Sequence, residues 1–152
     1  MLSQLSGVDF VAYGRDGRIV LLAEAKARRG TSKDWAARLR RNMLSHGLLP
    51  SSKFFLIATP ERMYVWKHEP PDQTETTPEF TIDASKLFQP YFQRLNQDPA
   101  KIAPEAFELL VLTWLTDIAG PARGDLIQDP SLEGLAELAG SLREARIENT
   151  VQ

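Results

Sequence analysis

The stretch Gly7-Val8-Asp9-Phe10-Val11-Ala12-Tyr13-Gly14-Arg15-Asp16-Gly17-Arg18-Ile19-Val20-Leu21-Leu22-Ala23-Glu24-Ala25-Lys26 decides the reading of this chain. Its two halves are rich in β-branched, aromatic and aliphatic residues, and Asp16-Gly17 between them is a strong hairpin signal. With Asp16-Gly17 as a two-residue turn, Arg15 pairs with Arg18, and paired residue numbers sum to 33. Asp9 and Glu24 also sum to 33, so the register sets the two carboxylates opposite each other, with Cβ atoms about 4.5–5.5 Å apart. Lys26 leaves from the same face as Glu24, two residues on. Both faces of the hairpin are apolar along most of their length, which predicts a sheet covered on both sides and an α/β fold class.

Outward from the hairpin, residues 33–46 have helical spacing. Thr31 or Ser32 stands ready as N-cap, Gly47 follows the end, Ala36, Leu39 and Met43 form an apolar stripe, and Arg38, Arg41, Asn42 and Ser45 share another face. Residues 54–59 read as a buried strand, Pro60-Glu61-Arg62 as a turn, and residues 63–67 as a further strand. The Pro- and Thr-rich run after His68 lacks the residues of a core and reads as a loop. Everything beyond it reads as helical. Residues 83–95 are broken or kinked by Pro90, a helix begins at Pro104 and runs to about Ile118, and an amphipathic helix occupies 131–148. The division expected is an α/β core over 1–68, a linker over 69–82 and a helical extension over 83–152.

The chain has 152 residues, 43% hydrophobic and 25% charged, with no cysteine and two histidines. This suits a globular core, and it excludes disulfides, a cysteine-ligated metal and a cysteine nucleophile. With so few histidines, a zinc site or a Ser-His-Asp triad is not supported either. His46 reads as a residue placed to meet a helix C-terminus and Trp35 as a packing residue. No Gly-rich loop opens a helix, so nucleotide binding is not indicated. No apolar run is long enough to span a membrane, and the N-terminus lacks the basic and apolar regions of a signal peptide, so the expected location is cytoplasmic. Charge is uneven. Residues 1–67 carry 12 Lys/Arg against 5 Asp/Glu, and residues 68–152 carry 6 against 15. The basic residues crowd between Lys26 and Arg41, where they can neutralise phosphates or form a solvated helix face.

Two acids facing each other on a buried sheet are destabilising unless something compensates: a shared proton, the Lys26 ammonium, or a divalent cation. An Asp, a Glu and a Lys beside a metal form a workable set for phosphodiester hydrolysis. Equally, Lys26 between two acids is satisfied as an ion-paired cluster with no metal.

Asp9, then Glu24-Ala25-Lys26 on the next strand, then a helix and another buried strand resembles the PD-(D/E)xK nuclease superfamily over roughly residues 7–67. The resemblance implies a restriction-endonuclease-like mixed β-sheet flanked by helices, here with a C-terminal helical extension. It implies Asp9, Glu24 and the Ala25 carbonyl as ligands to Mg²⁺ or Mn²⁺, and Lys26 as the catalytic lysine. Arg28, Arg29, Lys33, Arg38, Arg41 and Asn42 are the candidates for contacting DNA. The expected function is a DNA endonuclease of a defence, repair or mobile-element system. Val8 stands where the family name has proline. The family also has a helix before its first motif strand, often contributing an acid, whereas only residues 1–6 precede it here.

The alternative is a non-catalytic module on the same scaffold, its acidic helical half binding a protein partner. Phe107, Leu110, Val111, Trp114, Leu115 and Ile118 lie on one helical stripe, which is core if buried and a homodimer or partner-subunit interface if not.

Overall fold

A computed structural model describes residues 7–46, 49–67, 75–120 and 133–150. The hairpin forms as strands β1 (Phe10–Tyr13) and β2 (Ile19–Ala25), antiparallel, with Phe10 opposite Ala23, Val11 opposite Leu22 and Ala12 opposite Leu21. These pairs keep the expected sum of 33. The turn itself differs from the two-residue expectation. It is Gly14 to Gly17, closed by the Gly17 amide on the Gly14 carbonyl at 3.0 Å and by the Gly14 amide on the Arg18 carbonyl at 2.8 Å. Gly17 takes φ +83°, the left-handed conformation that closes such a loop, and Tyr13 then sits opposite Ile19. An irregularity between Ala12 and Tyr13 takes up the one-residue offset, so the displaced turn never reaches the far end of the hairpin.

From β2 the chain crosses through helix α1 (Lys33–His46) into β3 (Phe54–Ala58), which lies parallel to β2. Ser32 caps α1, its hydroxyl accepting the Trp35 amide at 3.1 Å, while the Thr31 hydroxyl pairs with that of Tyr64 at 2.7 Å. Gly47, the expected residue after the helix end, lies outside the described residues. The buried face of α1 is Ala36, Ala37, Arg40 and Leu44, with Leu39 and Met43 half-buried, so the expected stripe is turned toward Arg40. The Arg40 guanidinium is accommodated there by aromatic faces, 5.4 Å from the Trp66 ring centre and 5.9 Å from that of Phe55. Strand β4 (Arg62–Lys67) returns antiparallel to β3 after a turn in which Thr59 and Arg62 bond each other's backbone.

The later residues correct the reading of an all-helical second half. Phe80–Asp83, expected as the end of a linker and the start of a helix, is strand β5, paired with β4 at Val65–Phe80 and Met63–Ile82. Helix α2 (Ser85–Arg94) is one helix with Pro90 inside it rather than two short ones. Helix α3 (Pro104–Ala119) begins on its proline and ends at Gly120 as expected. Helix α4 (Glu133–Ser141) is shorter than the 131–148 expected. The chain then turns through Glu144 (φ +59°) into strand β6 (Arg146–Asn149), antiparallel to β1. A four-residue strand alternating charged Arg146 and Glu148 with Ile147 has little local β signal, and pairing with β1 decides its conformation.

The sheet order is therefore β5-β4-β3-β2-β1-β6, mixed, with helices on both faces. Leu22, Phe55, Ile57, Tyr64 and Trp66 pack toward α1. Ala23, Leu56 and Val65 pack on the other face with residues of α2, α3 and α4. The stripe Phe107, Leu110, Val111, Trp114, Leu115 and Ile118 is buried within this second layer, so it is core and offers no partner surface. Among the described residues no helix is long and apolar enough to cross a membrane.

Candidate metal centre

The open end of the hairpin brings Asp9, Glu24, Ala25 and Lys26 together. Glu24 follows Leu22 by two residues and is buried at 8% exposure. Its Oε1 accepts the Asp9 amide at 3.0 Å, and the Asp9 Oδ2 accepts the Ala25 amide at 2.9 Å. Each acid thus grips the other's strand, and the register inferred from the sequence is held by the carboxylates themselves. Lys26 continues the ladder with β3 through its amide on the Ala58 carbonyl at 2.9 Å. Its Nζ lies 3.2 Å from Glu24 Oε2, with the lysine side chain 43% exposed. On the other side of β1, the Thr150 amide donates to the Asp9 carbonyl at 2.9 Å and its hydroxyl to that of Val8. The chain's last described residue thereby braces the first acid.

Burial, then the like charge of Asp9, pushes the Glu24 carboxyl up to about 7, while Lys26 opposes the rise. A further acid enters from an unexpected place. Glu108 on α3 is half-buried, and its carboxyl is raised by burial first and then by Asp9 and Glu105, with Lys26 lowering it. In the sequence Glu108 stands among residues that read as core. Its signal was an acid seven residues before Leu115 and three before Val111, on the flank of the apolar stripe.

The donor set suits a hard divalent cation. Two carboxylates meet at one sheet end, and their mutual repulsion and desolvation are what a bound cation relieves. Among the described residues no group of three or more His, Cys, Asp or Glu side chains is arranged to hold a metal ion. A cation on Asp9 and Glu24 would therefore complete its shell with water and substrate oxygens, the habit of Mg²⁺.

The basic candidates do not converge in the same way. Arg28, Arg29, Lys33, Arg38, Arg41 and Asn42 are all exposed. Arg28 lies over the Trp35 ring at 5.7 Å, and Trp35 packs against Tyr64, so that tryptophan is a packing residue. Arg29 and Lys33 flank the segment that follows Lys26. Arg38, Arg41 and Asn42 lie farther along α1, Arg41 being about 12 Å from Lys33 along the helix axis. Arg41 donates to Asn42 at 3.4 Å, and His46 bonds the Asn42 carbonyl at 2.8 Å. His68 lies outside the described residues.

Compared with known proteins, the chain matches no family model, no curated protein and no solved structure.

Proposed function

We propose that this chain is a Mg²⁺- or Mn²⁺-dependent endonuclease that hydrolyses DNA phosphodiester bonds at Asp9, Glu24 and Lys26. The observation that carries the reading is the meeting of these three residues at one sheet end, with Lys26 Nζ 3.2 Å from a buried Glu24 that also binds the Asp9 backbone. In this reading Asp9 and Glu24 hold the cation, with the Ala25 carbonyl as a further ligand. The cation, when bound, supplies Lewis-acid chemistry, acidifying water and neutralising phosphate charge.

The rest falls to the chain's own groups. Glu24 is held by the Asp9 amide and by Lys26, so its carboxylate is fixed before substrate arrives. The half-exposed Lys26 ammonium donates to and orients the attacking water and faces the charge that develops on the phosphate, while the water's proton leaves to solvent. Arg28, Arg29 and Lys33 screen the flanking phosphates, and Arg38, Arg41 and Asn42 extend that contact along α1. The family that the motif resembles often takes an acid from a helix before its first motif strand. Here α3, later in the chain, carries Glu108 within electrostatic reach of Asp9 and Lys26.

The test is cleavage of supercoiled plasmid by purified protein, with Mg²⁺ or Mn²⁺ and with EDTA, beside Glu24→Ala and Lys26→Ala. Metal-dependent nicking that falls by about 100-fold or more in both variants is expected. Equal traces in all three proteins would identify a contaminant. Inactivity of well-folded wild type would instead favour the non-catalytic module, in which the Lys26–Glu24 pair only satisfies a buried charge.

A further inference from the structure

A cleft among the described residues borders the segment that follows the acidic pair and does not include the pair itself. It has a volume of about 860 Å³ and opens between α2 with its following loop, the β3–β4 turn and Arg29. That volume is within the range of small-molecule sites, roughly 300–1,000 Å³. Arg29 is three residues beyond Lys26, so their Cα atoms are no more than about 11 Å apart. The segment is tied to the cleft's other wall by the Gly30 amide on Glu61 Oε1 at 3.0 Å.

The chemistry of the lining is distinctive. Gln89, Gln93, Asn96 and Gln97 all border the cleft. None of the four side chains hydrogen-bonds another described residue, so each leaves both donor and acceptor for a ligand. Formal charge cancels, Arg29 and Lys86 standing against Glu61 and Asp98. Both acids are already engaged, Glu61 with Gly30 and Asp98 with the Ala100 amide at 2.9 Å. Pro99 adds exposed apolar surface, and the buried Phe92 and Pro60 form the floor beneath it. A phosphate would find little net attraction here, whereas a neutral planar group with donors and acceptors on its edge would find complementary partners. Carboxamides bind such edges in pairs, as Asn and Gln do with adenine.

We propose that this cleft binds a nucleobase of single-stranded DNA, or one extruded from a duplex, next to the bond to be cut. A base within an intact duplex cannot enter a cleft of this kind, so the substrate class is single-stranded or locally unpaired DNA. The assignment of a strand running on to Lys26 rests on the nuclease reading. The base site itself does not require cleavage.

The test uses the full chain in EDTA and fluorescence anisotropy with labelled dA10, dT10, dC10 and an abasic oligonucleotide of the same length. Wild type should bind at least one base-bearing oligomer about tenfold more tightly than the abasic one. The double variant Gln89→Ala/Gln93→Ala should lose that margin while keeping its abasic affinity and its thermal unfolding midpoint. Gln93→Asn alone serves if the double variant unfolds early, and should change the order of preference among bases. Equal binding of base-bearing and abasic DNA by wild type would overturn the proposal, as would a margin unchanged in folded variants. Glu24→Ala separates the two readings, since it should abolish cleavage and retain the base margin. Cleavage with no base margin would sink the base site alone. A base margin in a protein that never cleaves would sink the nuclease alone.

Discussion

The two ends of the β1–β2 hairpin carry charges of both signs, yet they are different environments. At the turn end, Arg15 meets Glu144 at 3.4 Å and Arg18 meets Asp16 at 3.8 Å, and all four side chains are more than half exposed. At the open end Glu24 has a side-chain exposure of 10%, and its partners are an amide, an acid across the strand and one lysine. Water screens the first set, and the protein must solvate the second. The turn end also tolerates a slipped pair and an irregularity, whereas the open end is pinned by two reciprocal side-chain-to-backbone bonds. Charge in this hairpin thus becomes consequential where the ladder is most tightly specified, and three kinds of substitution test that contrast.

The largest effect is expected at Glu24. Its folded carboxyl holds a proton up to about 7, against 4.5 for the ordinary group. Between those values the folded protein binds more protons than the unfolded chain, so stability falls as pH rises and levels off above 7. A carboxyl displaced this far is worth about 3 kcal/mol. Urea unfolding in EDTA should therefore show wild type losing stability from pH 5 to pH 8 relative to Glu24→Gln. Added Mg²⁺ at pH 8 should recover part of that loss in wild type and none in the variant. A wild-type-minus-variant difference that stays flat with pH would mean that the open end is as well solvated as the turn end.

That the open end was legible in the sequence follows from the length of the hairpin and the strict period of its pairing. Three consecutive pairs, from Phe10–Ala23 to Ala12–Leu21, transmit one register to Asp9 and Glu24. The local turn chemistry was less informative, because Asp16-Gly17 fits both a two-residue turn and the Gly14–Gly17 loop that forms. Strands β5 and β6 were hidden for another reason. Four residues pairing at a sheet edge depend on the neighbouring strand and carry almost no periodic signal of their own. Glu108 was hidden likewise, since nothing in a single sequence says that α3 passes beside a strand some hundred residues earlier. Arg40 shows the same limit on the other face. Its charge suggested solvent, and Trp66 and Phe55 make a buried place for it.

A smaller effect belongs to the turn. Gly17 at φ +83° has no atom within 4 Å of an added Cβ, so Gly17→Ala meets a conformational cost and no clash. That cost is about 1 kcal/mol. The irregularity after Ala12 should absorb any local shift, leaving the Glu24 titration where it is in wild type. Chemical denaturation gives the first quantity and carboxyl-detected NMR the second. Movement of the Glu24 midpoint in Gly17→Ala would show that the two ends are mechanically joined after all.

The smallest effect is expected from Arg15→Ala and Arg18→Ala. Exposed pairs at 3.4 and 3.8 Å contribute within about 0.5 kcal/mol and lose that in salt. Of the two, Arg15 is the more searching, because its partner Glu144 lies in the left-handed turn that leads into β6, and β6 braces Asp9 through Thr150. A double-mutant cycle on Arg15 and Glu144, measured by urea unfolding at low and high salt, isolates the pair from the strain at Glu144. A coupling near zero keeps the turn end a solvated surface, with β6 held by its backbone ladder to β1. A coupling above about 1 kcal/mol that survives salt would mean that this exposed pair helps seat β6, and through Thr150 the Asp9 carboxylate. The turn end would then belong to the site.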